Sequence, residues 1–210
     1  MKKYEFTGEV KRIKLIGTEV VLRKIRAVTA FGAVKAGDIG GWIEKEENLS
    51  HDGSAWVYGD AGVYGNAEVY GNAGVYGNAG VYGNARVCGN AEVYGNAKVY
   101  GDAWVYGDAE VYGNARVYGD ARVCGNAEVY SVNHIFSIGP VGSRNEYTTF
   151  YRNKNEKIEV RCGCFNGIIE EFLEKVAETH GENKHASVYR AAAEIAKLQI
   201  EPLSTDEEAE

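Results

Sequence analysis

No apolar run in this chain approaches the roughly 20 residues that a membrane-spanning helix needs, so no membrane partner is expected. The opening Met1-Lys2-Lys3-Tyr4-Glu5-Phe6 lacks the apolar stretch of a signal peptide, which predicts a cytoplasmic location. Cysteine and histidine are scarce, four of each in 210 residues, and Cys162 and Cys164 lack the further ligands nearby that a metal site needs, so neither metal nor cofactor is expected. Strong charge is also missing. The net charge is −7, and four of those negatives fall in Ser204-Thr205-Asp206-Glu207-Glu208-Ala209-Glu210, read as an acidic disordered tail over residues 204–210. Nucleic-acid binding therefore loses its usual electrostatic support, and the acidic surface is too sparse for a DNA mimic. At 45% hydrophobic and 25% charged residues, the composition is that of an ordinary soluble protein with room for two small domains.

What is abundant is one unit. Ala-X-Val-Tyr-Gly-Asn/Asp recurs without insertion from Ala55 to Val132, in thirteen hexads beginning at Ala55 and ending with that of Ala127. Self-similarity this strict predicts a solenoid. In extended chain Ala and Val, two apart, share one face, while X and Tyr share the other. The X positions carry Glu68, Arg86, Glu92, Lys98, Glu110, Arg116, Arg122 and Glu128, charges that are almost never buried unpaired, so Ala and Val line the interior. Gly followed by Asn or Asp tolerates positive φ, which makes each hexad a short strand and a corner. Three strands and three corners close a coil of eighteen residues.

This spacing resembles the left-handed parallel β-helix of hexapeptide-repeat proteins, with Val63 and Ala67, Val69 and Ala73, and their equivalents at its inward positions. The resemblance implies the fold, in a family that includes acyltransferases, anhydrase-like enzymes and structural proteins. The fold class expected is mainly β: a β-helix over residues 43–132, an N-terminal β cap over 1–42, and a C-terminal α+β domain over 133–203. The hexad phase traces back to Ile43 and Leu49 at the Ala position, with Lys45 and His51 where Val belongs, so the first coil reads as irregular. Beyond Tyr130, strands are expected at His134–Ile138, Tyr147–Arg152 and Lys157–Cys164. A helix from about Asn166 to Gly181 follows, with Ile168, Ile169, Phe172, Leu173 and Val176 inward. A second runs from about Lys184 to Ile200, before Pro202, with Val188, Tyr189, Ala192, Ile195 and Ala196 inward, a β3α2 domain in all. Both flanking parts cover solenoid ends that would otherwise template aggregation.

Cys88 and Cys124 replace Tyr two coils apart, about 10 Å at roughly 4.8 Å per coil, beyond disulfide reach. Cys162 and Cys164 flank Gly163 on an expected strand and are read as buried, inert thiols. Ala36-Gly37-Asp38-Ile39-Gly40-Gly41-Trp42-Ile43-Glu44, Gly142-Ser143-Arg144-Asn145 and Cys162-Gly163-Cys164-Phe165 resemble a group of bacteriophage and prophage proteins. That resemblance implies a phage accessory role, in the host cytoplasm, toward a host protein or a phosphate-bearing nucleotide signal.

Three function classes follow. An enzyme of the acyltransferase kind needs a catalytic base, yet the hexads hold no His; the four are His51, His134, His180 and His185. A structural scaffold, filament or virion component would use the outer ladders. Glu92, Glu110 and Glu128 stack on one face and Lys98 and Arg116 on another. Glutamates about 4.8 Å apart repel, so a neighbour's cations are expected to offset them in a head-to-tail homo-oligomer, with a trimer favoured. A binding protein would use the connection Gly142, Ser143, Arg144 and Asn145, where glycine backbone, hydroxyl and guanidinium suit a phosphate, with Arg152 and Arg161 as neighbours. The reading preferred is a non-enzymatic oligomeric binding protein whose β-helix is scaffold and whose C-terminal domain recognises the ligand.

Overall fold

The structure, a computed structural model, describes residues 2–15 and 17–200. The acidic tail and Pro202 lie outside the described residues. The chain opens with a long antiparallel hairpin, β1 (Tyr4–Leu15) and β2 (Thr18–Ala27), and then β3 (Ile39–Ile43). Thirteen two-residue strands follow, one at the X-Val pair of each hexad, from β4 (Trp56–Val57) to β16 (Glu128–Val129). They stack in parallel register eighteen residues apart, as in Trp56 on Gly74 and Glu92 on Glu110, and so build the three walls of a parallel β-solenoid.

The chemistry of the hexad explains the packing. Every Ala and Val of the thirteen units is at most 1% exposed, so the interior is a column of small and branched side chains that leaves room for nothing charged. The corner glycines, one per hexad from Gly59 to Gly125, take φ between 58° and 76°. The next residue forms a ladder of its own. Asn66 Nδ2 donates to Asn84 Oδ1 (3.2 Å) and Asn84 to Asp102 (3.0 Å); Asn72 donates to Asn90 (3.1 Å) and Asn90 to Asp108 (2.9 Å). Asn both donates and accepts, whereas Asp only accepts, which suits Asp to the last rung of such a chain.

The first coil departs from the expected phase. Ile43 pairs with Val63 and Leu49 bridges to Val69, twenty residues away rather than eighteen. Ile43 and Leu49 therefore occupy the Val column, not the Ala column, because two extra residues lie between them and the regular hexads. Trp56, an X position expected to face outward, is buried by the cap: Tyr4 and Phe31 pack edge-on to it at 6.1 and 5.3 Å. Lys3 Nζ donates to Ala55 O (2.8 Å), and the Tyr4 hydroxyl donates to Leu49 O (2.9 Å), satisfying carbonyls at the open end.

At the other end sits an antiparallel sheet of four strands, not three: β17 (Ile135–Val141), β18 (Glu146–Arg152), β19 (Ile158–Cys162) and β20 (Phe165–Ile168). Gly163, at φ 56°, turns the chain between Cys162 and Phe165, so the expected single strand through Cys164 is a hairpin. The turn leaves Cys162 half-buried and Cys164 exposed, not both buried as expected. Two helices, α1 (Ile169–His180) and α2 (Lys184–Gln199), cover the sheet's far face through Phe172, Val176, Tyr189, Ala192 and Ala196. Ile195 points to solvent instead, 45% exposed, while Ala186 and Ala193 take inward places. The near face of the sheet closes the solenoid: Arg122 N donates to Thr149 Oγ1 (3.1 Å), Lys154 N to Asn126 O (3.1 Å), and Tyr151 is buried against Cys124.

Candidate functional site

β17 and β18 are joined by the connection expected to bind phosphate, and the structure divides its candidate residues. Gly142, at φ 74°, packs beneath Tyr189; a Cβ there would stand 1.8 Å from the tyrosine hydroxyl, so glycine is required by packing rather than by an anion. Ser143 and Arg144 line the mouth of a cavity of about 300 Å³. Its floor is Phe165, Phe172, Val176 and Tyr189, and Lys175 and His180 stand at its rim. Asn145 and Arg161 line a neighbouring groove of about 320 Å³ on the solenoid side, with Asp120 and Arg122. Arg152 joins neither. It is 1% exposed, with its guanidinium 5.9 Å from the Tyr130 ring, and it lies four residues along β18 from Thr148, about 13 Å at roughly 3.3 Å per residue.

The cavity is therefore an apolar slot whose charged lining is mixed, Arg144 and Lys175 with the carboxylate of Glu146, which stands with Arg144 around Gly163. Thr148 Oγ1 donates to Cys162 Sγ (3.2 Å) beneath it. Burial, and then the Cys162 sulfur beside it, push the Tyr189 hydroxyl up to about 12, so it stays a neutral donor throughout the physiological range. Lys175 is held by Glu178 at 2.9 Å, whereas Arg144 has no ion pair or hydrogen bond among the described residues. Phe165 and Tyr189 are not legible as cavity walls from residue type, because an aromatic at helical spacing or flanking a turn reads equally well as core. No group of three or more metal-ligating side chains is found among the described residues, and no described helix is long and apolar enough to cross a membrane.

The ladders expected at an oligomer interface are formed as predicted, Glu92 beside Glu110 beside Glu128 on one wall and Lys98 beside Arg116 on another. The acidic column, however, finds partners inside its own chain. The hydroxyls of Tyr76, Tyr94 and Tyr112 donate to Glu92 (3.1 Å), Glu110 (2.9 Å) and Glu128 (2.8 Å), and Lys154 reaches Glu110 at 2.5 Å. The hydrogen bond from Lys154 holds the Glu110 carboxyl below its ordinary range. A neighbour is not needed to relieve the repulsion.

Residues 109–125, the hexads beside this end, match the family model described as the YdcK β-solenoid repeat. A 62-residue stretch, 28% of the chain, is 39% identical to a protein of Escherichia coli (strain K12) described as an uncharacterised acetyltransferase, YdcK. The chain spans about a fifth of the length of that curated relative, 19%. The likeness agrees with the solenoid seen in the structure.

Proposed function

We propose that the protein is a non-enzymatic binding protein in which a left-handed solenoid serves as rigid spacer and assembly surface while the C-terminal module receives a small ligand with a ring-bearing apolar body and an anionic group. The observation that carries this reading is the cavity in which an apolar lining of Phe165, Phe172, Val176 and Tyr189 meets the guanidinium of Arg144, which makes no ion pair or hydrogen bond among the described residues although Glu146 lines the same cavity. Its volume of about 300 Å³ suits a compact ligand. A phosphate ester fits the mouth best, since Arg binds it through two parallel N–H donors beside the Ser143 hydroxyl. A phage setting, with a host nucleotide signal or host protein as the partner, belongs to the same proposal and rests on the sequence resemblance. The acyltransferase alternative draws on the description of the E. coli relative, but the hexads that resemble it hold no His and no protruding loop.

Phenyl phosphate is the probe, compared by isothermal titration with inorganic phosphate and with phenol. It is expected to bind more tightly than either fragment, and Arg144→Ala to weaken it by about one to two decades. Arg144→Lys keeps the charge without the planar fork and is expected to recover part of that loss. Equal affinity for wild type and Arg144→Ala would reduce the loop to a connection.

A further inference from the structure

The solenoid carries three outer ladders, and the C-terminal module treats their last rungs differently. On the first wall Tyr130 is covered, by His134 edge-on at 4.1 Å and by Arg152 at 5.9 Å. On the third the ladder ends in Cys124, which lies 3.2 Å from the buried Tyr151 hydroxyl. On the second, Tyr64, Tyr82, Tyr100 and Tyr118 form a stack with centroid spacings of 4.9, 5.0 and 5.4 Å and interplanar angles of 4°, 4° and 13°. Among the described residues no ring or cation continues that stack beyond Tyr118, which is 58% exposed. The open ring looks into a groove of about 560 Å³ between the last coil and the C-terminal module. Two other exposed hydrophobics, Val132 and Tyr147, line the same groove.

We propose that this groove is a nucleotide site, separate from the Arg144 cavity, in which a nucleobase stacks on Tyr118 as the next rung of the tyrosine ladder. The geometry favours a planar ring because three successive rungs already hold near-parallel spacing, and every base offers a π-face to such a platform. Asn133 and Gln199 line the groove wall with amides; Gln199 Nε2 donates to Ile135 O at 3.5 Å, which leaves its oxygen and second N–H, with the Asn133 amide, to suit the polar edge of a base better than the bare edge of a phenyl ring. Arg116 lines the same groove and Lys98 stands beside it on the wall; both are exposed and neither has an ion pair among the described residues. That cationic strip along the stack supplies the partner for a phosphate. A mononucleotide meets all three features, whereas an aromatic side chain of a peptide meets only the first.

Isothermal titration with AMP, GMP, CMP and UMP, beside adenosine, ribose 5-phosphate and N-acetyl-tryptophanamide, tests it. At least one mononucleotide is expected to bind, more tightly than adenosine and far more tightly than ribose 5-phosphate. Tyr118→Ala is expected to weaken that binding at least about ten-fold, and Tyr118→Phe, which keeps the ring, to preserve it. Arg116→Ala is expected to abolish the preference for AMP over adenosine. Tyr118→Ala is expected to leave the affinity for phenyl phosphate, which reads the Arg144 cavity, unchanged, and this separates the two sites. No mononucleotide binding at millimolar concentration, equal affinity for the tryptophan amide, or affinity indifferent to Tyr118→Ala would each overturn the proposal. Circular dichroism of Tyr118→Ala, an exposed-ring truncation, confirms that the fold is retained.

Discussion

Gly101 shows how tightly one position of the hexad is specified. Its φ is 75°, and a Cβ there would sit 2.9 Å from the backbone nitrogen of Gly119 in the next coil. Gly101→Ala therefore meets two costs, the left-handed backbone and the contact, and is expected to destabilise the protein by about 2–4 kcal/mol. Chemical denaturation of the variant measures it; a midpoint within error of wild type would mean that the corner opens without resistance. At this scale the sequence was nearly transparent wherever the unit repeats, because the same residue in the same place thirteen times leaves one arrangement that buries Ala and Val together. It was opaque at single-copy positions. Trp56 carries the outward phase of its hexad yet is buried, since Tyr4 and Phe31 come from a distant part of the chain to cover it. Arg152 looked like a neighbour of Arg144 by type and proximity in sequence, but it stands at the far end of the extended strand Glu146–Arg152, away from that loop.

Ladders are elements in their own right here, and their titration is a property of the stack. Tyr64, Tyr70 and Tyr106 are each pushed up to about 12, chiefly by burial, and Tyr76, Tyr94 and Tyr112 are raised by burial together with the glutamates they serve. The folded state thus keeps phenolic protons that an unfolded chain surrenders near pH 10. That contribution to stability is fully present below about pH 10 and is lost as the pH rises from there through 12. Lys3 acts in the opposite sense: burial lowers its ammonium to about 8, so between about pH 8 and 10.5 the unfolded chain binds the extra proton and stability rises with pH. The denaturation midpoint is expected to rise slightly or hold from pH 8 to 10 and then to fall steeply, with tyrosinate absorbance appearing together with the loss of ellipticity. Tyrosinate formed well before unfolding would show that the ladders are open to solvent. The ladders could be written out from the eighteen-residue period and three of the C-terminal strands from their alternation, but the hairpin that adds the fourth could not. Gly163 reads equally as a strand residue and as a turn, and only the pairing of Cys162 with Phe165 decides it.

For the whole molecule the question is what holds copies together, and the in-chain service of the acidic column changes the expected balance. Had Glu92, Glu110 and Glu128 stood unpartnered, a neighbour's Lys98 and Arg116 would have relieved real repulsion. With tyrosine hydroxyls on all three and Lys154 on Glu110, the pairs left for a neighbour are exposed ones, worth about 0–1 kcal/mol each. Assembly through these walls, proposed above as part of the scaffold role, then depends on the flat tyrosine and glycine surface more than on charge. Lys98→Glu with Arg116→Glu is accordingly expected to shift the dissociation constant of a homo-oligomer by no more than about one decade, as read by sedimentation equilibrium or native mass spectrometry. A collapse to monomer in that variant would assign the assembly to pairing of the acidic wall with the basic one, and Lys154→Ala, which removes the Lys154 cation from Glu110, should then tighten the oligomer. If neither variant moves the mass while Tyr82→Ala does, the aromatic surface carries the contact.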